Sequence, residues 1–199
     1  MKIKTVFFPI LLVFFITDIY SGDNQIYYQN PDSTIKEISG EILVIFKNKE
    51  YKELTRYIHP VKGVRFSPYS YIDTVSDRVF TRDNYLAHFT KLKSAPLFWG
   101  YYDGSGDSIK LTVKKYFKRF VYDADFLNAE KFSVNSTIGK GNTINNIEAI
   151  YSGCKYTESY FSGFEEKYGG MDWRALRLVF KEYEGKFYLV GIIHDEWTI

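Results

Sequence analysis

The chain has 199 residues, 26 of them Lys or Arg and 24 Asp or Glu, and aromatic side chains make up 19% of it. So even a charge balance removes any long-range attraction to a polyanion and, with it, the electrostatic ground for nucleic-acid binding. The single cysteine, Cys154, excludes an intramolecular disulfide, so burial of the many tyrosines and phenylalanines has to hold the fold together.

The first stretch, MKIKTVFFPILLVFFITDIYSG, reads as a secretory signal peptide: Lys2 and Lys4 precede an apolar run from Val6 to Ile16. That run is too short for a bilayer-spanning helix, which needs about 20 apolar residues, so no integral membrane segment is expected in the mature chain. Cleavage after Ser21 is expected, and because no cysteine lies near this junction the chain does not read as a lipoprotein. Residues 22–32 read as a flexible lead-in, and 33–199 as one domain. The segment after Ser21 carries 24 basic and 23 acidic residues, so the balance survives cleavage.

Ile35, Ile38, Ile42, Ile45 and Phe46 recur at helical spacing and predict a first helix over 33–46, with Asp32 or Ser33 as its N-cap. Tyr51, Leu54 and Ile58 predict a shorter helix that stops before Pro60 and leaves His59 at its end. A strand is expected over 64–72, with Pro68 marking an edge or a bulge. Thr81 is placed to cap a helix through Phe89. The run LFWGYY (97–102) predicts an aromatic strand entering the turn Asp103-Gly-Ser-Gly106, and Thr112 caps a helix whose stripe is Val113, Tyr116, Phe117, Phe120 and Val121. Strands are then expected over 132–138, 144–151, 155–161, 173–183 and 186–194, the last two joined at Glu184-Gly185. Helices first and strands last predict an α+β fold, with N-terminal helices packed on a curved, mainly antiparallel sheet.

Register arithmetic from that two-residue turn places Phe180 opposite Leu189, Leu178 opposite Gly191, and Ala175 opposite His194. His194 and Arg177 then become diagonal neighbours on one face and Arg174 lies opposite Asp195, assignments that a slip of one residue would exchange.

The order of elements and the closing block RALRLVFKEYEGKFYLVGIIHDEW resemble the nuclear transport factor 2-like superfamily, whose members have a cone-shaped α+β fold. The blocks HPVKGVRFSPYSYI, FWGYYDGSGDSI and GGMDWRALRLVF also resemble a group of uncharacterised secreted or lipid-anchored bacterial proteins. The superfamily includes isomerases, cyclases, dehydratases and hydrolases as well as binding and association modules. None of its catalytic signatures can be quoted from this chain, so the resemblance implies a fold and no reaction.

Several groups are candidates for chemistry. His194 with Glu196, or with Arg177 across the hairpin, has the composition of a proton-transfer site; the structural alternative has Asp195 and Glu196 solvating a strand end or pairing Arg174. His59 offers a base and Arg65 a carboxylate or phosphate clamp. Asp103-Gly-Ser-Gly-Asp107 lacks the further oxygen ligands of a calcium loop and reads as a hairpin turn. Asp172 and Arg174 are spaced to pair. The three histidines, 59, 88 and 194, show no metal-ligand spacing, and neither a metal nor a cofactor is expected.

The leading expectation is a non-catalytic secreted module that binds a small ligand, cell-wall component or partner in an aromatic-lined concave pocket. Tyr69, Tyr71, Trp99, Tyr101, Trp173 and Trp197 would supply stacking surfaces, and Arg65, Asp172, Arg177 and His194 orientation. The alternatives are an acid/base isomerase or hydrolase using His194, Asp195 or His59, and a structural domain that forms a homodimer through an open sheet face.

Overall fold

The computed structural model describes residues 30–90 and 95–198. The signal peptide and most of the lead-in expected from the sequence lie outside these residues. The first helix, α1, runs Pro31–Asn48. Its N-cap is Asn30, whose Oδ1 accepts from the Asp32 amide, two residues before Asp32 and three before Ser33, the caps expected; Pro31 occupies the first turn, where it has no amide to waste. Lys49 closes the helix in the left-handed conformation, and a 3-10 helix, Tyr51–Arg56, follows. Two further helices, α2 (Arg82–Thr90) and α3 (Val113–Phe120), complete the helical layer; Thr112 caps α3 as the sequence predicts, accepting from the Lys115 amide.

The strands are β1 (Val64–Ser67), β2 (Arg78–Phe80), β3 (Leu97–Tyr101), β4 (Ser108–Leu111), β5 (Lys131–Val134), β6 (Lys155–Phe161), β7 (Arg174–Tyr183) and β8 (Lys186–Glu196). Six of them form one sheet in the order β2-β1-β8-β7-β6-β5, in which only β1 and β8 run parallel; β3 and β4 form a separate hairpin. This is the expected α+β arrangement with a mainly antiparallel sheet. No helix among the described residues is long and apolar enough to cross a membrane.

Several expectations change: the helix expected to leave His59 at its end is a 3-10 helix that stops at Arg56, and the strand expected over 132–138 ends at Val134. Pro68 does not mark an edge strand: β1 stops at Ser67 and is paired on both sides, by β2 and β8. The segment 144–151 is not a strand; it contains the single helical turn α4, Ile147–Ile150, and lies across the sheet instead of joining it. The hairpin register also shifts. Glu184 and Gly185 both take positive φ, as a two-residue turn of this hand requires, and Phe180 does face Leu189. Beyond that pair a bulge at Val190 slips the ladder by one, so that Val179 faces Gly191, Leu178 faces Ile192 and Leu176 faces His194. The bulge turns both Val190 and Gly191 towards the outer layer. A Cβ at Gly191 would come within 2.7 Å of the Tyr151 hydroxyl, so a larger residue there would have to displace that ring.

Both faces of the sheet are therefore covered. On one, Leu176, Leu178, Phe180, Leu189 and Ile192 pack against α1 and α3 in an aromatic core that includes Phe46, Phe66, Tyr85, Trp99, Tyr116 and Phe117. On the other, Tyr156, Val179, Val190 and Ile193 are sealed by Ile72, Ile147 and Tyr151. The open face that a dimerising domain would need is occupied by the chain's own loops at these central strands.

Candidate functional site

The bulge decides where the polar end of β8 points. His194 and Glu196 turn towards α3, and Asp195 turns to the outer layer. His194 is fully buried, edge-on to Phe120, and its Nε2 lies 3.2 Å from both carboxylate oxygens of Asp123, which follows α3 in the chain. Arg174 Nε bridges Asp123 Oδ2 (2.9 Å) and Glu196 Oε2 (3.3 Å), and Arg119 also pairs with Glu196. Asp123, His194 and Glu196 bring their donor atoms within 4.8 Å of one another, a spacing that suits a cation. Both carboxylates, however, are already held by guanidinium groups, so a metal would have to displace two arginines. The cluster closes one end of the core as an ion-pair network. Arg174 therefore pairs with neither Asp195 nor the Asp172 carboxylate; it donates to the backbone carbonyls of Asp172 and Trp173.

Asp195 meets Arg177 on the outer face. Arg177 is fully buried, and its guanidinium donates to Glu158 Oε2 (2.5 Å), Asp195 Oδ2 (2.8 Å), Ser70 Oγ (2.9 Å) and the Gly139 carbonyl (3.4 Å). Glu158 Oε1 accepts the amides of Ile138 and Gly139, at 2.9 and 2.6 Å. Burial raises the Asp195 pKa against the opposing pull of Arg177, and its Oδ1 has no partner. His194 and Arg177, expected as neighbours, thus lie on opposite sides of the sheet.

The remaining predicted residues are dispersed. Burial lowers the His59 pKa; its Nδ1 accepts the amides of Val61 and Lys62 at 3.1 and 3.0 Å, and its ring packs on Tyr183 and Tyr188. Arg65 donates to the carbonyls of Asp73, Thr74 and Asp77 and so shapes the β1–β2 loop. Trp99 is core, Trp173 supports Gly139 and Gly141 of the covering loop, and Asp172 caps the Phe164 and Glu165 amides. Trp197 is exposed and lines none of the cavities described below.

Tyr69, Tyr71 and Tyr101 do come together. With Tyr102, Pro68 and Thr143 they border a cleft of about 170 Å³ that also receives Asp73, Asp77 and Asp103 and is lined by no lysine or arginine. The cleft forms because Pro68 ends β1 and turns its loop alongside the β3–β4 hairpin. The turn Asp103-Gly-Ser-Gly106 is the hairpin turn expected, with Gly104 and Gly106 at positive φ. Tyr71 and Tyr101 are each 52% exposed, Tyr101 with its ring in T-shaped contact with Phe98 at 5.3 Å, whereas Tyr69 is nearly buried against Phe120.

The carboxylates differ in state. Burial raises Asp77 to about 7, against hydrogen bonds from Ser67 Oγ (2.5 Å) and the Asp73 amide (3.0 Å) and the charge of Arg65. Asp103 lies below its ordinary value because Thr198 and Thr143 donate to its Oδ2 at 2.6 and 2.9 Å. Burial is the largest influence on Asp73, but the amides of Val75 and Ser76 outweigh it and leave that group below its ordinary value as well. Sequence reading missed Asp77. The available signal was two aspartates four positions apart, in a polar loop next to an aromatic block.

No model of a known protein family, no curated protein and no solved structure matches this chain.

Proposed function

We propose that this protein is a non-catalytic binding module that takes the cationic end of a small ligand in the tyrosine cleft. The observation that carries this is the pairing of two exposed tyrosine rings with a buried aspartate whose pKa is raised to about 7, in a cleft lined by three carboxylates and no basic side chain. Ring faces attract cations through their quadrupole, and the acidic lining sets a negative local potential that the nearby Arg65 only partly offsets. At about 170 Å³ the cleft takes one head group and not a whole drug-sized ligand. The proposal keeps the secreted location expected from Lys2, Lys4 and the run Val6–Ile16, and the nuclear transport factor 2-like architecture. Helices covering one face of a sheet and a closing β7–β8 hairpin support the latter. An acid/base enzyme gains less support, because His194, Asp195 and His59 are all buried away from the cavities described.

Choline is the probe, with its uncharged isostere 3,3-dimethylbutanol as control, in titrations followed by NMR. Choline should bind, the isostere more weakly, and Tyr71→Ala and Tyr101→Ala should each weaken binding about two- to thirty-fold. Equal binding of the two probes would remove the cationic specificity, and absence of binding by both would remove the module reading itself. A cation beside Asp77 favours its ionised form, so affinity should rise as pH increases from about 6 to 8, through the pKa of about 7.

Asp77 also carries a stability prediction. Its folded pKa of about 7 exceeds the ordinary 3.8, so its contribution is fully present below about pH 4 and is lost as pH rises through 7. Asp77→Asn, which cannot ionise, should gain stability relative to the wild type between pH 4 and pH 8.5, by up to about 4 kcal/mol. Urea denaturation at both pH values tests this. A difference that stays constant with pH would mean that Asp77 is ionised throughout.

A further inference from the structure

A cavity larger than the tyrosine cleft lies on the helical side. A groove of about 1080 Å³ runs between the end of α1, the 3-10 helix, α2 and α3. Its floor is aromatic. Tyr51 sits 4.6 Å from Phe117 and 5.5 Å from Phe89, and Phe46 packs edge-on to Phe117 at 5.8 Å, so the apolar surface is a continuation of the core and not a set of loose side chains. Tyr122 completes it.

The rim has the opposite character. Lys47, Lys49, Lys52, Arg56, Lys114 and Lys118 line it, against Glu50 and Glu53 alone. Lys47 is paired with Asp125 at 2.8 Å and Arg56 with Glu53 at 3.4 Å. Lys49, Lys52, Lys114 and Lys118 make no ion pair among the described residues. Lys114 and Lys118 are four apart on α3, which puts both over the same edge of the groove. In a chain whose net charge is only +2, this is a local concentration of positive charge around an apolar trough.

We propose that this groove binds a free long-chain carboxylate: the lysines hold the head group and the aromatic floor takes the chain. Each half of the site requires its half of the ligand. A small inorganic anion would leave the floor in water, and a neutral hydrocarbon would leave the four lysines without a counter-charge. The site is separate from the tyrosine cleft, with which it shares no lining residue and whose ligand has the opposite charge.

The test uses isothermal titration with dodecanoate below its micelle concentration. Butanoate and dodecyltrimethylammonium serve as comparisons, and a Lys49→Glu/Lys118→Glu variant as the charge reversal. Dodecanoate should bind and weaken with added salt. Butanoate and the cationic amphiphile should bind at least about tenfold more weakly, and the variant should lose about tenfold or more in affinity. Both substituted lysines are exposed, so an unchanged melting temperature and unchanged choline titration would report an intact fold. Equal binding of dodecanoate and dodecyltrimethylammonium, or an unaffected variant, would overturn the proposal. So would binding to phosphatidylglycerol vesicles or to a short oligothymidylate without binding of free dodecanoate; these outcomes would reassign the groove to a membrane surface or to a single-stranded nucleic acid.

Discussion

Arg177→Leu should destabilise the protein by on the order of 3–5 kcal/mol, a loss comparable to the whole stability of many small domains. The guanidinium is the single cation in a sealed group with Glu158 and Asp195, and all three are essentially inaccessible to water. Leucine would fill part of the volume but leave two carboxylates facing each other in a region of low polarity. Their cheapest escape is to take up protons. Both should then titrate above their unfolded values, so that folded-state stability in the variant is retained at low pH and lost as pH rises through the raised pKa values. Urea denaturation at pH 5 and pH 7.5 should therefore show a smaller deficit at the lower pH. A deficit under 1 kcal/mol at pH 7.5, or one independent of pH, would mean that the buried triad is not what fixes the outer layer.

Trp99→Ala should cost about as much, ~3–5 kcal/mol, by a different route. Trp99 is fully buried, stacked on Tyr116 at 3.8 Å and edge-on to Phe66 at 5.7 Å. Its Nε1 donates to the Leu111 carbonyl at 2.8 Å and so ties β3 to β4. Truncation opens a cavity in the centre of the aromatic core and leaves that carbonyl without its donor. Two residues further on, Tyr101→Ala should change stability by less than about 0.5 kcal/mol, because its ring is half exposed. Thermal and urea denaturation of the two variants separates a core aromatic from a surface one. Similar losses would mean that Tyr101 is structural and would weaken the case for the cleft as a binding site.

How far the fold was legible can be judged from individual elements. The Thr112-capped helix, the strand over 155–161 and the turn at Glu184-Gly185 were readable because each carries its own local signal: a capping hydroxyl, an alternating pattern, a glycine where φ must be positive. The segment 144–151 misled because, of its three isoleucines, only Ile147 is buried, while Ile144 and Ile150 are exposed. Ile147 plugs the outer face of the sheet from a loop, and nothing in the local pattern separates that from a strand. The bulge at Val190 has no local signature beyond Gly191, and its effect was to exchange the faces of His194 and Asp195. Of the aromatic stacking surfaces expected from the sequence, Tyr69, Tyr71 and Tyr101 line the cleft and Trp99, Trp173 and Trp197 do not. Asp77 was not legible, because a carboxylate becomes unusual only through what buries it. The partnerships of His194 with Asp123 and of Arg177 with Glu158 span 71 and 19 positions, and only the folded sheet brings them together.

The position of β8 has a consequence for how the molecule is made. It follows every other strand of the described residues, yet it lies in the middle of the sheet, between β1 and β7. Until it is synthesised, β2 and β1 have no connection to the ladder β7-β6-β5, and neither the Arg177 triad nor the His194 cluster can assemble, since each draws a member from this strand. A nascent chain emerging N-terminus first thus has no complete folding unit to settle into before its eleven-residue central strand appears. Assembly should be late and concerted, with a long interval in which the chain stays open to chaperones.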